Sequence, residues 1–403
     1  MSSVTGGSNR VVSGMRPTGS MHLGHLHGAL KNWIKLQYEY ECFFFVADWH
    51  ALTTDYENPM SIQASTREMV VDWLAAGINP ASATIFVQSD IIEHAELHLL
   101  LSMITPLGWL ERVPTYKDQQ EKLKEKDLAT YGFLGYPLLQ SADVLIYGAK
   151  YVPVGEDQVA HLEMTREVAR RFNHLYGREE DFDKKALRAT RLLGQHNRAE
   201  YLEARRRYQE KGDAEALAIG QNIVSSCPRL TVADTDRLLG YLEGVGRTIL
   251  VEPEPLLSPT SKVPGLDGQK MSKSYGNAIG LREDPDTIAK KLRTMQTDPA
   301  RVRRTDPGDP AKCPVWDFHK IYSDEATCRW VNEGCRSAGI GCVECKKPII
   351  DAVLAELEPI RARARMHEED EDAVRTILHE GRERARDVAR ETMDDVREAM
   401  GLE

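Results

Sequence analysis

The chain has 403 residues, of which 41% are hydrophobic and 28% are charged, and its formal net charge is −10. This length favours two or three domains, and the sequence contains no apolar run of about 18 residues that would cross a membrane. The acidic balance argues against a protein that coats nucleic acid, but a local basic surface is enough for a specific nucleic-acid partner.

The N-terminal segment, MSSVTGGSNRVV, lacks the apolar stretch of a signal peptide. We therefore expect a cytoplasmic protein whose cysteines stay reduced and form no disulfides. The compartment matters for the chemistry, because a reduced thiol can ionise and bind a metal.

The first half of the chain alternates strand-like and helix-like segments, which predicts a parallel sheet covered by helices. The continuous apolar run Cys42–Ala47 is typical of a strand buried on both faces. Other strands are predicted at Arg10–Ser13, Ala83–Val87 and Tyr151–Val154. Helices are predicted at Gly24–Tyr38, Ser61–Ala76, Ala95–Leu107 and Asp157–Tyr176. The predicted fold class is α/β, with a Rossmann-like parallel sheet in the catalytic domain.

The second half of the chain is mainly helical. Charged segments around Tyr201 and Tyr208 predict a helical insertion, in which Thr231 or Asp234 caps a helix that continues to Leu242. The predicted segments are a first catalytic part (1–176), a helical insertion (177–250), a second catalytic part (251–297) and a helical C-terminal domain (298–403). The last stretch, Glu368–Met400, is predicted to be a solvated helix packed on the body.

The first chemical motif is His22-Leu23-Gly24-His25, between a glycine-rich turn and the start of a helix. A helix N-terminus attracts phosphate through its free N–H groups and its dipole. Gly24 leaves room for a nucleotide against the backbone, and both histidines can donate hydrogen bonds to phosphate. Alone this motif is weak evidence, because two histidines near a glycine are usually surface residues.

The second motif is Lys270-Met271-Ser272-Lys273-Ser274, which follows a turn-rich loop. Its two lysines can close over a triphosphate and neutralise a leaving pyrophosphate. A lone lysine–serine string is normally just a solvated loop, but both motifs in this order on a parallel α/β frame are highly specific. They resemble the two signature sequences of class I aminoacyl-tRNA synthetases.

The resemblance is to tryptophanyl-tRNA synthetases in particular, and it covers roughly Arg10–Tyr176 and the chain from Glu252 onwards, leaving out the insertion. The matching segments are Ser13–Gly19, Val46–Thr53, Tyr136–Asp143 and Val152–Gln158. It implies activation of L-tryptophan by ATP and Mg²⁺, followed by transfer to tRNA(Trp), and a homodimer. This chemistry needs alignment of two anions and stabilisation of negative charge rather than a strong base.

The resemblance also implies a role for individual residues. Catalytic roles are expected for His22, His25, Lys270 and Lys273. ATP-binding roles are expected for Arg16, Thr18, Gly24, His25, Gly155, Asp157, Met271, Ser272 and Lys273. Tryptophan-binding roles are expected for Tyr136, Gln140, Asp143, Gln158 and His50.

Asp143 also has a physical argument of its own. An indole is a large apolar body with a single N–H donor. A carboxylate in the pocket would accept that donor, and phenylalanine would leave the carboxylate desolvated and unpaired. The alternative role, a helix cap, fits poorly because Asp143 lies in mid-segment between Leu139 and Val144.

Four cysteines, Cys313, Cys335, Cys342 and Cys345, have the spacing C-x21-C-x6-C-x2-C. Close thiols in a reducing compartment suggest a metal site, and spacing alone leaves zinc and iron–sulfur both open. The flanking residues resemble the subset of tryptophanyl-tRNA synthetases that carries a [4Fe-4S] cluster, so we expect that cluster, with zinc as second choice. Cys328 has no counterpart in the pattern and is expected to be a free thiol.

In this family the C-terminal helical region reads the anticodon. Basic residues flank the cysteines and suit phosphate contacts, although ordinary solvated surface explains them equally well. These residues are Arg301, Arg303, Arg304, Lys346 and Lys347.

Three other functions share part of this sequence pattern. A tyrosyl-tRNA synthetase shares the fold, both signatures and the mechanism. A non-catalytic binding module with this fold would be expected to have degraded signatures, and both are whole here. A dinucleotide-binding oxidoreductase is disfavoured because no G-x-G-x-x-G follows the first strand.

Overall fold

The structure is a computed structural model that describes residues 9–113, 130–155, 159–178, 181–257 and 263–402. The strands are β1 (Arg10–Met15), β2 (Glu41–Val46), β3 (Ala83–Val87), β4 (Tyr151–Val154) and β5 (Glu254–Leu257). The helices of the first half are α1 (Leu23–His25), a π-helical segment (Leu26–Leu30), α2 (Lys31–Leu36), α3 (Asp48–Asp55), α4 (Pro59–Ala76), α5 (Glu93–Ser102), α6 (Leu107–Glu111), α7 (Tyr131–Leu145) and α8 (Val159–Tyr176). The later helices are α9 (Phe182–Ala189), α10 (Gln195–Lys211), α11 (Ala214–Ser225), α12 (Val232–Glu243), α13 (Pro285–Thr294), α14 (Pro314–Tyr322), α15 (Glu325–Arg336), α16 (Cys342–Glu369) and α17 (Glu371–Met400).

The five strands form one parallel sheet in the order β3-β2-β1-β4-β5. The chain moves outwards from β1 to β3 and then returns to the other side of β1 for β4. This change of direction leaves a crevice at the carboxyl ends of β1 and β4, where ligands bind in open α/β sheets. The α/β, Rossmann-like fold class predicted from the sequence is confirmed.

Both faces of the sheet are buried, and neighbouring residues of β2 supply the two cores in turn. Phe44 stacks on Trp33 with ring centroids 4.4 Å apart, whereas Phe43 stacks on Tyr147 on the opposite face at 4.9 Å. This follows from the alternation of side chains along a strand. Full burial of each phenylalanine contributes about 1.5–3 kcal/mol, so the apolar run of β2 anchors both layers of helices.

The two long C-terminal helices complete these cores. Val353 and Leu357 of α16 join the cluster on the Trp33 face, and Ala389 and Met393 of α17 join the cluster on the Tyr147 face. At Gly381, α17 lies so close to the edge strand β3 that an added Cβ would be 1.8 Å from the carbonyl oxygen of Ile85. The C-terminal region therefore shares its hydrophobic core with the catalytic sheet.

Helices α9–α12 pack around a separate small core that includes Phe182, Tyr201 and Leu238. Thr231 caps α12, because its hydroxyl accepts from the backbone N–H of Asp234. The chain leaves and re-enters the catalytic body at adjacent points, since the N–H of Arg247 donates to the carbonyl of Gly177 at 2.6 Å. Because α8 runs back from the carboxyl end of β4, this junction lies at the amino-terminal edge of the sheet, opposite the crevice.

Candidate active site

A cavity of about 430 Å³ occupies the crevice at the carboxyl ends of β1 and β4; we call it the central cavity. Backbone and side chains from the end of β1, from α3, from α7 and from the end of β4 line it. It brings together six residues that the sequence singled out, namely Arg16, His50, Tyr136, Gln140, Asp143 and Gly155. Asp157 and Gln158 lie outside the described residues.

Asp143, on α7, is 1% exposed at the wall of the central cavity. One carboxylate oxygen, Oδ2, accepts a hydrogen bond from Nε2 of His50 at 2.8 Å. The other, Oδ1, accepts from Nε2 of Gln88 at 2.7 Å and from Nδ1 of His94 at 2.6 Å. Each carboxylate oxygen has two lone pairs, so Oδ2 retains one acceptor position after these three bonds.

Two effects act on the pKa of Asp143. Burial raises it, but the hydrogen bonds and charges of His50 and His94 outweigh burial and hold the pKa well below its ordinary value. His94 is fixed in turn, because its Nε2 lies 2.7 Å from the hydroxyl of Tyr147. Asp143 is therefore a buried, ionised carboxylate, an acceptor for a ligand N–H.

Gln88 and His94 were not identified from the sequence, although both are fully buried beside Asp143. Gln88 follows the last residue of β3, and His94 lies in the first turn of α5. The sequence signal that could have identified these two residues is their place in the chain after a strand. Polar residues that follow a parallel strand collect at the carboxyl edge of the sheet.

The first signature segment, His22–His25, is compact. The two imidazole rings stack with centroids 3.8 Å apart, and a Cβ on Gly24 would come within 2.9 Å of the ring of His22. Burial, aided by the nearby lysines, lowers the pKa of His22 to about 4, and burial together with His22 lowers the pKa of His25 to about 3. Both rings are therefore neutral at pH 7 and serve as hydrogen-bond donors without carrying charge.

The second signature segment, Lys270–Ser274, is held beside the first by backbone pairing. His22 and Gly280 form an antiparallel bridge, with Leu23 N–H donating to Ile279 and Leu281 N–H donating to Met21, both at 3.0 Å. The bridge brings residues that are about 250 positions apart in the sequence into contact.

The predicted residues of the second segment have different surroundings. Lys270 and Lys273 are both exposed, and Nζ of Lys273 donates to Ser20 Oγ at 2.9 Å. The N–H of Ser272 donates to Asn277, whose amide also reaches Asp267 and thereby braces the loop. The Met271 side chain is buried in the core, so only its backbone is available to a nucleotide. Thr18, the remaining predicted ATP residue, lies exposed in the loop after β1.

A second cavity of about 430 Å³ lies between the two signature segments; we call it the signature compartment. The cations Lys273, Arg282 and Lys291 line it together with the neutral ring of His22 and the carboxylates of Glu68 and Glu283. Its size and its lysines suit a polyphosphate. The loop after β1 contributes to both cavities, with Arg16 lining the central cavity and Ser20 lining the signature compartment.

The four predicted cysteine ligands converge from the start of α14, the end of α15 and the first turn of α16. Burial and then the neighbouring thiols of Cys313, Cys335 and Cys342 raise the pKa of Cys345 to about 12. Cys328 is apart from them, because its thiol faces the carbonyls of His319 and Ser323. Among the residues that the structure describes, no three His, Cys, Asp or Glu side chains are arranged to hold a metal ion as they stand.

Two of the five basic residues near the cysteines have neither of the roles predicted for them. Arg301 is 9% exposed and donates to the carbonyls of Arg304 and Ile340, and Lys346 is 5% exposed and donates to the carbonyls of Arg293 and Met295. They stabilise loop and helix ends rather than contacting phosphate or solvent. Arg303, Arg304 and Lys347 remain on the surface and line a basic cleft of about 710 Å³.

Known proteins resemble this chain in sequence and in fold. A family model described as tRNA synthetases class I (W and Y) matches residues 5–195 and 237–358. The tryptophan–tRNA ligase of Ralstonia nicotianae is 63% identical, covering 98% of both chains, and that of Thermotoga maritima is 45% identical, covering 98% of this chain and 99% of its own. The tryptophanyl-tRNA synthetase of Campylobacter jejuni complexed with ADP and tryptophan has a TM-score of 0.72 at 26% identity and covers 97% of this chain and 99% of its own.

Fold and site together define a class I aminoacyl-tRNA synthetase. The chain belongs to the tryptophan and tyrosine family of that class. Within the described ranges, every helix is too short or too polar to span a lipid bilayer.

Proposed function

We propose that the chain is a tryptophan–tRNA ligase, which converts L-tryptophan and ATP to tryptophanyl adenylate and pyrophosphate and then esterifies the 3′ end of tRNA(Trp). The observation that carries this proposal is Asp143, an ionised carboxylate with one acceptor position left, buried in a cavity beside the signature compartment. The curated relatives with high identity support the choice of tryptophan over tyrosine.

In the first step the tryptophan carboxylate attacks the α-phosphorus of ATP and expels pyrophosphate. The neutral rings of His22 and His25 donate hydrogen bonds to phosphate, and Lys270 and Lys273 stabilise the negative charge that grows on the leaving group. No strong base is needed, because the attacking carboxylate is already ionised. When bound, Mg²⁺ supplies further charge neutralisation and needs few protein ligands, since it travels with the phosphates.

Tryptophan selection follows from the neighbours of Asp143. His50, Gln88 and His94 fix the carboxylate, so it cannot turn to follow a different ligand. An indole N–H fills the open position on Oδ2, while phenylalanine leaves that position empty and desolvated. Tyr136 and Gln140 form further parts of the wall, and Gln158 stays a predicted tryptophan ligand.

Amino-acid-dependent exchange of pyrophosphate into ATP tests the function directly. All twenty amino acids are compared, followed by charging of tRNA(Trp) and tRNA(Tyr) transcripts. Only tryptophan should support rapid exchange, and only tRNA(Trp) should be charged. Faster exchange with tyrosine would replace this proposal with the tyrosyl alternative.

We assign anticodon reading to residues 298–403, and within them the tRNA backbone contacts to the basic cleft. Arg303, Arg304 and Lys347 lie on its walls with their charges towards solvent, while Arg301 and Lys346 support the cleft from below. Exposed cations on a rigid cleft position a nucleic-acid backbone without reading its bases.

We also propose a [4Fe-4S] cluster on Cys313, Cys335, Cys342 and Cys345, with zinc as the alternative. The proposal is supported by four thiols that converge from three helix ends and influence each other's ionisation, since four thiolates are the usual ligands of such a cluster. Arg301 and His319 lie close to two of the sulfurs, at 3.8 Å from Cys335 and 3.3 Å from Cys345, and would orient them. When bound, either group cross-links the start of α14 to the start of α16.

Protein purified without oxygen should be brown, with broad absorbance near ~400 nm that a Cys335→Ser variant lacks. Cys328→Ser is the matched control and should keep the colour, since its thiol faces backbone carbonyls. Both variants should be compared for thermal unfolding, because ligation energy is coupled to folding. Colourless protein with one zinc per chain would show that the metal was wrongly assigned.

The four segments predicted from the sequence are kept as the proposed domain organisation, with residues 177–250 as an insertion that takes no part in activation. Its helices have their own core, and its ends meet through the Gly177–Arg247 hydrogen bond, away from the central cavity. The family model leaves residues 196–236 unmatched, inside this segment.

Deleting residues 180–245 and closing the gap with a short flexible linker should leave tryptophan activation within about 3-fold of wild type, since the gap ends are adjacent. Arg247 is retained because it pairs with Asp395 and Glu398 of α17. The measurements are pyrophosphate exchange and thermal unfolding on the same samples. Loss of activation in a variant that unfolds normally would place the insertion in the active-site architecture.

A homodimer is proposed from an exposed apolar stripe on α5 and α6. Ile92, Leu99, Met103 and Leu107 are between 55% and 65% exposed, and the first three share one helical face. A Leu99→Glu/Met103→Glu variant should therefore sediment as a monomer, while the wild type sediments as a dimer. Met366→Glu, at an exposed methionine on α16, is the control; a monomeric wild type would contradict the proposal.

The compartment proposed is the cytoplasm, consistent with seven unpaired cysteines.

A further inference from the structure

A buried ion pair lies behind the two signature segments. Asp72 of α4 is fully buried, and its Oδ2 accepts a hydrogen bond from the backbone N–H of Met21 at 2.7 Å. Its Oδ1 lies 2.7 Å from Nε of Arg282. Met21 directly precedes His22, and Arg282 closely follows Gly280, the bridge partner of His22. The pair therefore contacts both signature segments: Asp72 lies behind them and lines neither ligand cavity, whereas Arg282 reaches the wall of the signature compartment.

Arg282 lines the signature compartment but is not available as a phosphate ligand. Besides Asp72, its guanidinium contacts Glu368 at 2.5 Å and Glu68 at 3.7 Å. Three carboxylates from α4 and the end of α16 already compensate its single charge. Its contacts are those of a brace between helices rather than of a substrate-binding cation.

A gain in fold stability does not explain why the charges of Asp72 and Arg282 are buried behind the signature segments. A buried ion pair is often no more stabilising than a well-packed apolar pair, because desolvation offsets the attraction. A fixed carboxylate does supply geometry, however. Met21 gives its N–H to Asp72 and its carbonyl to Leu281, so the backbone before His22 is held from both sides.

We propose that Asp72 and Arg282 are positioning residues for adenylate formation, an inference that rests on the proposed function. They hold the His22 segment and the segment after Lys273 in one register, so that both signatures face the same triphosphate. Asp72 lines neither cavity, and the guanidinium of Arg282 is already paired with three carboxylates, so both residues act through the backbone at Met21 and Leu281. Misplacement of catalytic groups by about 1 Å can cost about 100-fold in rate, which sets the scale of the expected effect.

Electrostatics adds to this geometric role. Burial lowers the pKa of Lys273, whereas the negative charges of Asp72 and Glu68 raise it. Removing Asp72 would leave Glu68 alone to oppose the effects of burial and of the repulsion by Arg282 on the pKa of Lys273. The same carboxylate thus helps to keep the signature lysine charged.

The test uses three full-length variants: Asp72→Asn, Arg282→Leu, and Asp72→Leu combined with Arg282→Leu. Single-turnover adenylate formation, the KM for ATP, the Kd for tryptophan and thermal unfolding are measured for each. Both single variants should form adenylate about 10-fold to 100-fold more slowly, with a raised KM for ATP and an unchanged Kd for tryptophan. The double variant should recover thermal stability, because no unpaired charge stays buried, but it should remain slow.

Arg10→Leu provides a matched control, because Arg10 is also buried and pairs with Glu41 at 2.8 Å at the amino-terminal edge of the sheet. It should lower thermal stability without a selective loss of rate. A double variant that regains both stability and rate would reduce the pair to a structural role and overturn the proposal. Wild-type rates for Asp72→Asn would do so as well. Wild-type exchange with tryptophan, measured in parallel, tests the proposed function separately.

Discussion

Replacing both Lys270 and Lys273 with alanine should slow adenylate formation by about 1000-fold or more, since one lost donor alone costs about 100-fold to 1000-fold, while tryptophan binding stays near normal. The charge of these lysines is needed chiefly when pyrophosphate leaves, so its loss raises the barrier without weakening the ground-state complex. Both side chains are exposed, but Nζ of Lys273 also donates a hydrogen bond to Ser20. We therefore expect Lys273→Ala to disturb the ATP-free loop more than Lys270→Ala does.

The measurements are single-turnover adenylate formation and equilibrium tryptophan binding on the same preparations. Lys290→Ala removes an exposed lysine from α13, near the compartment but outside it, and serves as the control for net charge. Near-normal activation in the double variant would remove both lysines from the mechanism.

The second large effect is expected on tryptophan binding when Asp143 is replaced. Asp143→Ala should weaken tryptophan binding by about 2–4 kcal/mol, because a buried indole donor loses its partner. The alanine also leaves donors of His50, Gln88 and His94 without an acceptor, so part of the loss should reflect a disturbed pocket. Asp143→Asn keeps the shape and one acceptor oxygen, so its loss should be smaller.

An affinity ratio separates indole recognition from general damage. Tryptophan is compared with its benzothiophene analogue, which has the same shape but lacks the N–H donor. The ratio should fall towards one in Asp143→Ala, since a disturbed pocket weakens both ligands alike. A ratio that stays at the wild-type value would mean that another residue reads the indole, with Gln140 the first candidate in the central cavity.

Local sequence patterns were sufficient for four of the five strands. The apolar runs at Cys42–Ala47 and Ala83–Val87 predicted β2 and β3 to within one residue at either end. β5 was missed because its four residues include a glutamate and a proline, which carry no strand pattern, and its pairing with β4 creates it. The π-helical segment Leu26–Leu30 interrupts the predicted first helix, and no local pattern indicates such a change of hydrogen bonding.

The residues of the candidate site divide in the same way, into those that a local sequence pattern reveals and those that only the fold brings together. Both signature segments are contiguous, so their residue types and order could be recognised in the sequence. Gln88, His94, Asp72 and Arg282 acquire their roles only from partners about 50 or more positions away, which no single segment reveals. Arg301 and Lys346 were misjudged for a related reason, because sequence does not distinguish a cation that faces water from one that faces buried carbonyls.

The path of α17 bears on how the chain folds during synthesis. This helix lies against the free edge of β3, and it carries Ala385, Ala389 and Met393 into the core on the Tyr147 face. Until residues 371–400 have left the ribosomal exit tunnel, the nascent sheet keeps an open edge and an incomplete core, which is an aggregation hazard. The catalytic layer that is translated first is therefore completed only when one of the last helices described packs onto it.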